Sequence, residues 1–598
     1  MSLAVALILS GCGDGAASRG SASVDNKEGA GQELGQADKN EAGQGASAGN
    51  EISMGNNNIE GSSSIPLTAD DIFSDRDFET DYDESESAVI TLNGSSAECS
   101  LDAVEINGST VTIKDEGTYI LSGNLDDGMI IVDSDKEDKT QLVLKGVNIH
   151  SKTSAPIYIL QSDKVFVTLA EGTENSLSNG GVFTAIDDNN IDAVIFSKED
   201  LTLNGEGSLK ISSPAGHGIV SKDELALTGG SYDITCGSHG LSGKDGVGIA
   251  GGTYHITSGK DGIHGENDED SALGYVYLKD GVINIKSEDD GISAVSRLQV
   301  DGGTINIASV DDAFHADDTL AVNAGTLNIS ESYEGLEGLY VEINGGTIAL
   351  VAEDDGINAA GGNDSSGFGG KGGNDMFGGK GAGDWFGGRG GRGGKQRGEM
   401  GEASGEMFGE KPQLPEGMPE NMQGVAPEMP EGMPENMPEM PGNMPQDMKG
   451  GMPGSSGSGS ISITGGEIYV KASGDGIDAN GSLTISGGNI TVCGPNHGDT
   501  ATLDYDTTGV ITGGTFVGSG ARGMAQTFSD STQGVVTAHV GSVAAGTEVT
   551  LADKNGKVLI NYTPELDCSV MIFSSPELVK GEMYSLSVGG VQSDCMAE

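Results

Sequence analysis

The sequence predicts an all-β fold: a right-handed parallel β-helix with coils of about 22 residues and a small C-terminal antiparallel β unit. Three observations predict it, and the first two are a glycine-containing phrase that recurs at a nearly fixed period and an acidic phrase that keeps the same register. Composition is the third observation. With 100 Gly but only 13 Phe, 13 Tyr and 1 Trp, the chain cannot build a large aromatic core. A solenoid does not need one, because each coil buries only a thin column of side chains.

The glycine phrase reads, for example, LTGGSYDI at 227–234 and IAGGTYHI at 249–256. Its second Gly falls at positions 230, 252, 281, 303, 325, 346, 466 and 488, so most steps are 21 or 22 residues. Each unit has room for about three short alternating strands but not for a helix of ten residues. A β-propeller is the structural alternative, but its blades need about 40 residues. The period therefore favours a parallel β-helix.

Changes in composition divide the chain into regions. The long insert is rich in Gly, Met and Pro and cannot bury a core, so we expect it to be a disordered loop. The predicted regions are a lipoprotein-type signal at 1–12, a disordered linker at 13–64, the first part of the β-helix with an N-terminal cap at 65–360, the insert at 361–458, the last coils at 459–534 and a C-terminal β unit at 535–598.

The N-terminal apolar run ends in Leu-Ser-Gly followed by Cys12, which resembles a bacterial lipoprotein signal. We expect Cys12 to be lipidated and the protein to be extracellular, held at the bacterial cell surface by a lipid anchor. An ordinary secretory segment with a chance cysteine is the alternative. Outside the cell, Cys568 and Cys595 could form a disulfide, because they share the C-terminal region.

The chain carries 91 Asp and Glu against 31 Lys and Arg, a formal charge of −60. Such a chain repels nucleic acid and anionic membranes and attracts cations. We therefore expect no nucleic-acid partner, no membrane contact beyond the lipid anchor, and a monomer.

Acidic side chains fall in register in the turn before each DGI-like phrase, so successive coils would stack like charges about 4.8 Å apart. Calcium relieves this repulsion with its preference for 6–8 oxygen ligands. The alternative is ordinary Asp-Gly turn chemistry, which explains one acid in each coil but not the doubled ones. The predicted calcium ligands are Asp261, Asp289, Asp290, Asp311, Asp312, Glu334, Asp354, Asp355, Asp475 and Asp478. Asp268 and Asp270, in an acidic insert, form a second candidate cluster, with a solvated loop as the alternative.

No catalytic residue can be assigned from the sequence. A calcium-dependent lyase needs Arg or Lys beside the metal, yet Arg297 is the only Arg between 77 and 388. A hydrolase would need a carboxylate pair, which abundant acids neither reveal nor exclude. We interpret His217, His239, His264 and His315 as isolated turn histidines rather than general bases.

Several long phrases, among them GTYILSGNLDDGMIIVD, FSKEDLTLNGEGSL and ARGMAQTFSDSTQ, resemble the bacterial family of carbohydrate-binding β-helices typified by a clostridial cellulose- and polygalacturonate-binding surface protein. The resemblance covers roughly residues 90–535 apart from the insert. It implies a pectate-lyase-like fold, calcium on the coils, and binding of plant cell-wall polysaccharide, acidic and pectin-like or cellulose, without catalysis. The alternatives are a calcium-dependent polysaccharide lyase or hydrolase, and a structural adhesin or spacer.

Overall fold

The structure, a computed structural model, describes residues 65–267, 269–360, 459–495 and 500–598. Its strands stack in parallel, coil upon coil, in three sheets, which confirms the predicted parallel β-helix. The predicted signal, linker and insert, with Cys12, lie outside the described residues.

Three strands make up most coils, and we number the sheets in the order in which the chain enters them from the acidic turn. Sheet 1 contains Thr110–Ile113, Met129–Asp133, Ile157–Gln161, Ala193–Ser197, His217–Ser221, Leu241–Gly243, Ile263–Gly265, Ile292–Ala294, Ile357–Ala359, Ile477–Ala479 and Asp504–Tyr505. Sheet 2 contains Lys164–Leu169, Asp200–Gly205, Glu224–Leu227, Gly246–Ile249, Tyr275–Leu278, Arg297–Val300, Ser460–Ile463, Ser482–Ile485, Thr508–Ile511 and Asp530–Ser531. Sheet 3 contains Glu174–Asn179, Ser208–Ser213, Ser231–Cys236, Thr253–Ser258, Val282–Ser287, Thr304–Ala308, Thr326–Glu331, Thr347–Ala352, Glu467–Ala472, Asn489–Cys493 and Thr515–Gly520.

Some longer strands bend from one sheet into the next. Phe314–Val322 and Leu336–Ile343 each serve sheets 1 and 2 in one coil. At the N-terminal end, Ala88–Gly94, Gly117–Leu125 and Lys139–Ser151 serve sheets 2 and 3. The short strands Ala97–Glu98 and Val104–Asn107 pair antiparallel with this first part of the helix.

The interior is filled by columns of inward side chains that repeat from coil to coil. In sheet 3, Tyr232 lies in register with Tyr254, and the two rings stack with centroids 5.0 Å apart. Ile283 and Ile305 continue the same column, both almost fully buried. Each such aliphatic side chain contributes about 1.5–3 kcal/mol through burial.

The turns that lead into sheet 3 depend on glycine. Gly252 has a φ of 102° and Gly303 one of 86°, in the left-handed region that other residues avoid. The second Gly of the recurring phrase is therefore required by backbone conformation.

A segment that we call the strap, residues 65–80, crosses the outer surface of sheet 2. It contains the α-helix Ala69–Ile72 and the 3-10 helix Asp75–Phe78. Its Ile72 and Phe73 pack with Ala226, Tyr275 and Tyr277 of the sheet.

The strap is also held by polar contacts. Asp77 is fully buried, accepts a hydrogen bond of 2.5 Å from Thr202 and pairs with Lys164 at 2.9 Å. Farther along, the Leu67 amide donates to Gln299 at 3.0 Å. The strap thus joins the start of the described chain to several coils.

The C-terminal region divides between two sheets. Cys568–Ser574 pairs antiparallel with the last strand of sheet 3, and Val535–Val543 pairs with it in turn. Val549–Ala552, Val558–Tyr562, Met583–Val588 and Val591–Met596 form a separate four-stranded antiparallel sheet. This is the small antiparallel unit that the sequence predicts, although part of its expected sequence closes the β-helix instead.

The disulfide considered for Cys568 and Cys595 is not formed, and both are free thiols. The reason is their placement on different sheets: Cys568 lies opposite Val543, whereas Cys595 lies opposite Tyr584. Neither of the helices described here is long and apolar enough to cross a membrane.

Candidate cation-binding edge

The turn that leads into sheet 1 stacks one residue from each coil into a row that we call the acidic ladder. The next outward-facing position, three residues later in sheet 1, forms a parallel outer row. The acidic ladder contains His217, His239, Asp261, Asp290, Asp312, Glu334, Asp355 and Asp475. The outer row contains His264, Ser293, His315, Glu337, Asn358 and Asp478.

The residue after each ladder position must be small because neighbouring coils approach closely there. A Cβ on Gly262 would lie 2.5 Å from a methyl group of Ile285 and 2.6 Å from the Gly291 carbonyl oxygen. The Gly262 amide also donates to the Asp290 carbonyl at 3.1 Å, so the turn is fixed by an intercoil hydrogen bond. Ala313, the one exception among Asp261 to Asp475, is fully buried.

One oxygen of each ladder aspartate is used by the backbone of the next coil. Asp261 accepts from the Asp290 amide at 3.2 Å, Asp290 from the Asp312 amide at 3.1 Å, and Asp312 from the Glu334 amide at 3.1 Å. Asp355 and Asp475 make the same contact with Asp475 and Ala501. Hydrogen bonding within the turns therefore accounts for one oxygen of each carboxylate. The second oxygen is available to contact other side chains or a cation at this edge.

Two clusters on this edge offer only carboxylate oxygens. In one, Asp289, Asp290 and Asp311 each place an oxygen within 4.8 Å of the others. In the other, Asp355, Asp475 and Asp478 do the same. We call these the first and second oxygen clusters.

Repulsion and burial disfavour the charged form of these acids. Burial raises the pKa of Asp290 to about 7, and the nearby charges of Asp261, Asp311 and Asp289 act in the same direction. Burial likewise raises the pKa of Asp355 to about 8 and of Asp478 to about 7, with Asp475 adding to both. A divalent cation among these oxygens would relieve the repulsion that protons otherwise relieve.

The chemistry of the donors fits calcium. Calcium takes 6–8 oxygen ligands in flexible geometry, so three carboxylates with backbone carbonyls and water suffice. In each oxygen cluster the three carboxylates come from two adjacent coils, so a bound ion would join those coils.

Two further clusters mix histidine with carboxylates. Asp261 Oδ2 lies 2.6 Å from His264 Nδ1 and 3.1 Å from His239 Nδ1. In the second mixed cluster, His315 Nδ1 lies 2.5 Å from Glu337 Oε2 and 3.2 Å from Asp312 Oδ2.

Charge is distributed differently in the two mixed clusters. Burial opposes the protonation of His315, but its hydrogen bonds to Asp312, Asp317 and Glu337 prevail and raise its pKa. Burial would raise the pKa of Asp261, yet His239 and His264 bring it below its usual value. His239, His264 and His315 therefore contact acids of the ladder and the outer row and are not the isolated turn histidines that we expected from the sequence.

The remaining predicted ligands have other surroundings. Glu334 is buried and accepts a hydrogen bond of 2.8 Å from Asn358. Burial raises the pKa of Glu334 to about 10, and the charges of Asp312 and Glu337 act in the same direction. Asp354 lies beside the second oxygen cluster and belongs to no cluster of the described residues. Asp312 belongs with His315 rather than with other carboxylates alone.

The acidic insert has a local structural role where it is described. The Asn267 side chain accepts hydrogen bonds from the amides of Glu269 and Asp270, both at 2.9 Å, and Asp270 accepts one from Ala272 at 3.0 Å. These bonds form tight turns, and Asp270 belongs to no metal-like cluster in the described part of the chain. Asp268 lies outside the described residues.

The sequence pattern predicts isolated turn histidines at His264 and His315 and does not single out Glu337. All three residues follow a ladder position by three residues. This constant offset could have identified them, because it places each side chain on the outer face of the strand that follows the turn.

Arg297 does not serve this edge. Its side chain is buried on sheet 2, where it donates to Gln299 at 2.9 Å and pairs with Glu342 at 3.2 Å.

Part of the chain is similar to a family of known proteins. Residues 107–372 match the family model described as carbohydrate-binding domain-containing protein.

Two individual proteins are similar to the chain. A carbohydrate-binding domain-containing protein of Acetivibrio thermocellus is 38% identical over 136 residues, which are 22% of this chain and 48% of that protein. The chain therefore spans about half the length of this curated relative. A solved structure from C. thermocellum, titled as a polysaccharide lyase-like protein in a gadolinium derivative, is 31% identical, covers 43% of this chain and 96% of its own, and has a TM-score of 0.37.

Proposed function

We propose that this protein is a non-catalytic, calcium-dependent carbohydrate-binding protein, anchored at the bacterial cell surface through Cys12, that binds acidic plant cell-wall polysaccharide of the pectin type. Calcium ions in the two oxygen clusters would bridge ladder carboxylates to the uronate carboxylates of the glycan. The observation that carries the proposal is the pair of oxygen-only clusters on one edge of a chain with a carbohydrate-binding family match.

Charge supports an acidic ligand held through a metal. A chain with a formal charge of −60 repels a polyuronate unless cations lie between them. Three coils separate Asp290 from Asp355, which corresponds to about 14 Å at ~4.8 Å per coil. Two ions at that spacing could hold separate carboxylates of one extended glycan.

Cellulose has less support, because flat sugar rings are usually held on exposed aromatic faces. Among the exposed large apolar side chains of the described residues, Phe78 is the one aromatic, and it belongs to the strap.

Binding without turnover is supported by the surroundings of the oxygen clusters. A lyase needs a strong base beside the metal and the uronate. The neighbours that raise the pKa of Asp355, after burial itself, are Asp475, Asp354 and Asp478, all acids. Arg297 is buried in ion-pair contact on another sheet.

The test measures binding of polygalacturonate by calorimetry, with 2 mM calcium and with chelator. Unmodified insoluble cellulose is used in a parallel pull-down. We expect calcium-dependent binding of polygalacturonate that the double variant Asp355→Asn/Asp478→Asn weakens at least tenfold. Asp233→Asn, an exposed acid on sheet 3, is the matched control and should bind like the natural protein.

The alternatives give different results in the same samples. Sustained formation of unsaturated products, followed by their ultraviolet absorbance, would identify a lyase. If polygalacturonate binds equally well in chelator and in calcium, the calcium dependence in the proposal is wrong. If the protein binds neither polygalacturonate nor cellulose, it is a spacer or adhesin.

A further inference from the structure

The character of the acidic ladder changes along the helix. Towards the N-terminal end its positions are His217 and His239 rather than acids, and His264 adds a third imidazole from the outer row. The three rings form a stack, with centroid separations of 5.1 Å between the first two and 4.1 Å between the last two. This arrangement brings three imidazoles to an edge whose two oxygen clusters offer only carboxylates.

His239, Asp261 and His264 converge on one point. Asp261 Oδ2 lies 2.6 Å from His264 Nδ1 and 3.1 Å from His239 Nδ1. The other Asp261 oxygen already accepts the Asp290 amide, which fixes the orientation of the carboxylate. Three donor atoms from two coils therefore lie within 4.8 Å of one another.

One of these donors is buried without a hydrogen bond. His239 is 8% exposed, and its Nδ1 lies 3.1 Å from Asp261 Oδ2 but forms no hydrogen bond of good geometry with the described residues. A buried imidazole nitrogen in this position costs free energy unless a ligand satisfies it.

A further carboxylate supports the ring of His264. Glu266 Oε2 lies 3.0 Å from His264 Nε2. When the Nε2–H of a neutral His264 donates a hydrogen bond to this carboxylate, the lone pair of Nδ1 faces Asp261 and His239. This is the arrangement that usually orients a metal-binding histidine.

We propose that His239 Nδ1, Asp261 Oδ2 and His264 Nδ1 bind a divalent transition-metal ion of the zinc class, with water in the remaining position. Two imidazole nitrogens and one carboxylate suit zinc, cobalt or nickel, whereas calcium selects oxygen. The site is distinct from the oxygen clusters and stands whether or not the chain binds polysaccharide. Its ion would join two coils and would be retained in the presence of excess calcium.

The second mixed cluster differs in its donors. It offers a single imidazole, that of His315, which contacts the carboxylates of Asp312, Asp317 and Glu337. The proposal is therefore restricted to the cluster with two imidazoles and one ladder carboxylate.

The experiment uses the full chain, stripped with chelator and returned to buffer with 2 mM calcium. Zinc is titrated by calorimetry, and cobalt by its visible spectrum, which reports nitrogen and oxygen coordination. We expect one tight equivalent of zinc and cobalt bands in the natural protein. His264→Gln should lose the tight equivalent and the bands, and Glu266→Gln should weaken zinc binding about 10- to 100-fold.

His255→Gln, which changes an exposed histidine on sheet 3, is the matched control and should leave the tight equivalent unchanged. Any site elsewhere in the chain contributes equally to the natural protein and to each variant. Circular dichroism and the calcium response of the melting temperature verify that the variants fold. Zinc binding that is absent from the natural protein, or equal in His264→Gln, overturns the proposal and leaves a hydrogen-bonded histidine stack.

Discussion

The two oxygens of each ladder aspartate have different partners. One accepts an amide of the next coil, as between Asp290 and Asp312 at 3.1 Å. The other faces the edge, where it meets the carboxylates or histidines of adjacent coils. Asp-Gly turn chemistry and cation binding are therefore compatible at the same residue, although the sequence presents them as alternatives.

Asp478 separates these two roles, because it belongs to the second oxygen cluster but lies in the outer row and not in the ladder. Asp478→Asn should reduce the rise in melting temperature that calcium produces, since one charged ligand is lost. Without calcium, the variant should be at least as stable as the natural protein, because a like charge is removed from a site that raises the pKa of Asp478 to about 7.

The measurement is thermal unfolding by circular dichroism in chelator and in 2 mM calcium. Asp233→Asn is the surface control. An unchanged calcium response in Asp478→Asn would show that this carboxylate is not a ligand.

At the scale of elements, the strap covers part of the outer surface of sheet 2. A Cβ on Gly248 of sheet 2 would lie 2.5 Å from Ile72 Cγ2 and 3.0 Å from Phe73. Glycine at this outward position therefore allows the strap to lie against the sheet. Sheet 2 is covered where the strap crosses it, whereas the ladder lies at the entrance to sheet 1.

Close to the strap, Glu224 is half-buried on sheet 2 and accepts a hydrogen bond of 3.0 Å from Tyr275. Burial raises its pKa to about 7, although Lys164 and Tyr275 oppose the shift. A carboxyl group whose pKa is raised on folding stabilises the fold fully below its unfolded pKa, and this contribution is lost as the pH rises through about 7.

Glu224→Gln should remove this dependence, because the amide oxygen can still accept from Tyr275 while no charge is buried. We expect the variant to gain on the order of 2 kcal/mol in free energy of unfolding at pH 8 and little at pH 4. Denaturant unfolding at both pH values measures the difference. A gain of equal size at both would mean that packing, and not the charge, is responsible.

At the scale of the whole molecule, the formal charge of −60 opposes compaction, and the acidic ladder concentrates part of that charge on one edge. Specific cations should therefore stabilise the protein more than ionic strength does.

Calcium at 100 times its dissociation constant should add on the order of 3 kcal/mol for each occupied site. We expect 2 mM calcium to raise the melting temperature by several degrees over sodium chloride of matched ionic strength, and chelator to reverse the rise. Scanning calorimetry of the full chain provides the comparison. Equal curves in the two salts would indicate screening alone.

The architecture could be predicted because a coil is a local repeat. The second Gly of each phrase recurs mostly at steps of 21 or 22 residues, so glycines such as Gly252 and Gly303 mark the turns, and the segments between them are the strands of successive sheets. The same arithmetic places Asp290, Asp312 and Asp355 in one row. The repeat period alone fixes the register between strands of adjacent coils, so this register can be predicted without knowing any distant contact.

The composition of each cluster was decided only by the tertiary structure. Whether the Asp261 side chain contacts carboxylates or histidines depends on side-chain rotamers and burial in two adjacent coils. The repeat period predicts neither the rotamers nor the burial. The position of the strap depends on contacts such as that between Leu67 and Gln299, which are 232 residues apart. By itself, then, the sequence determined the coil and its acidic row, because both follow from repeated local geometry. The tertiary structure decided which side chains share a site and which sheet is covered, because those contacts join residues that no repeat relates.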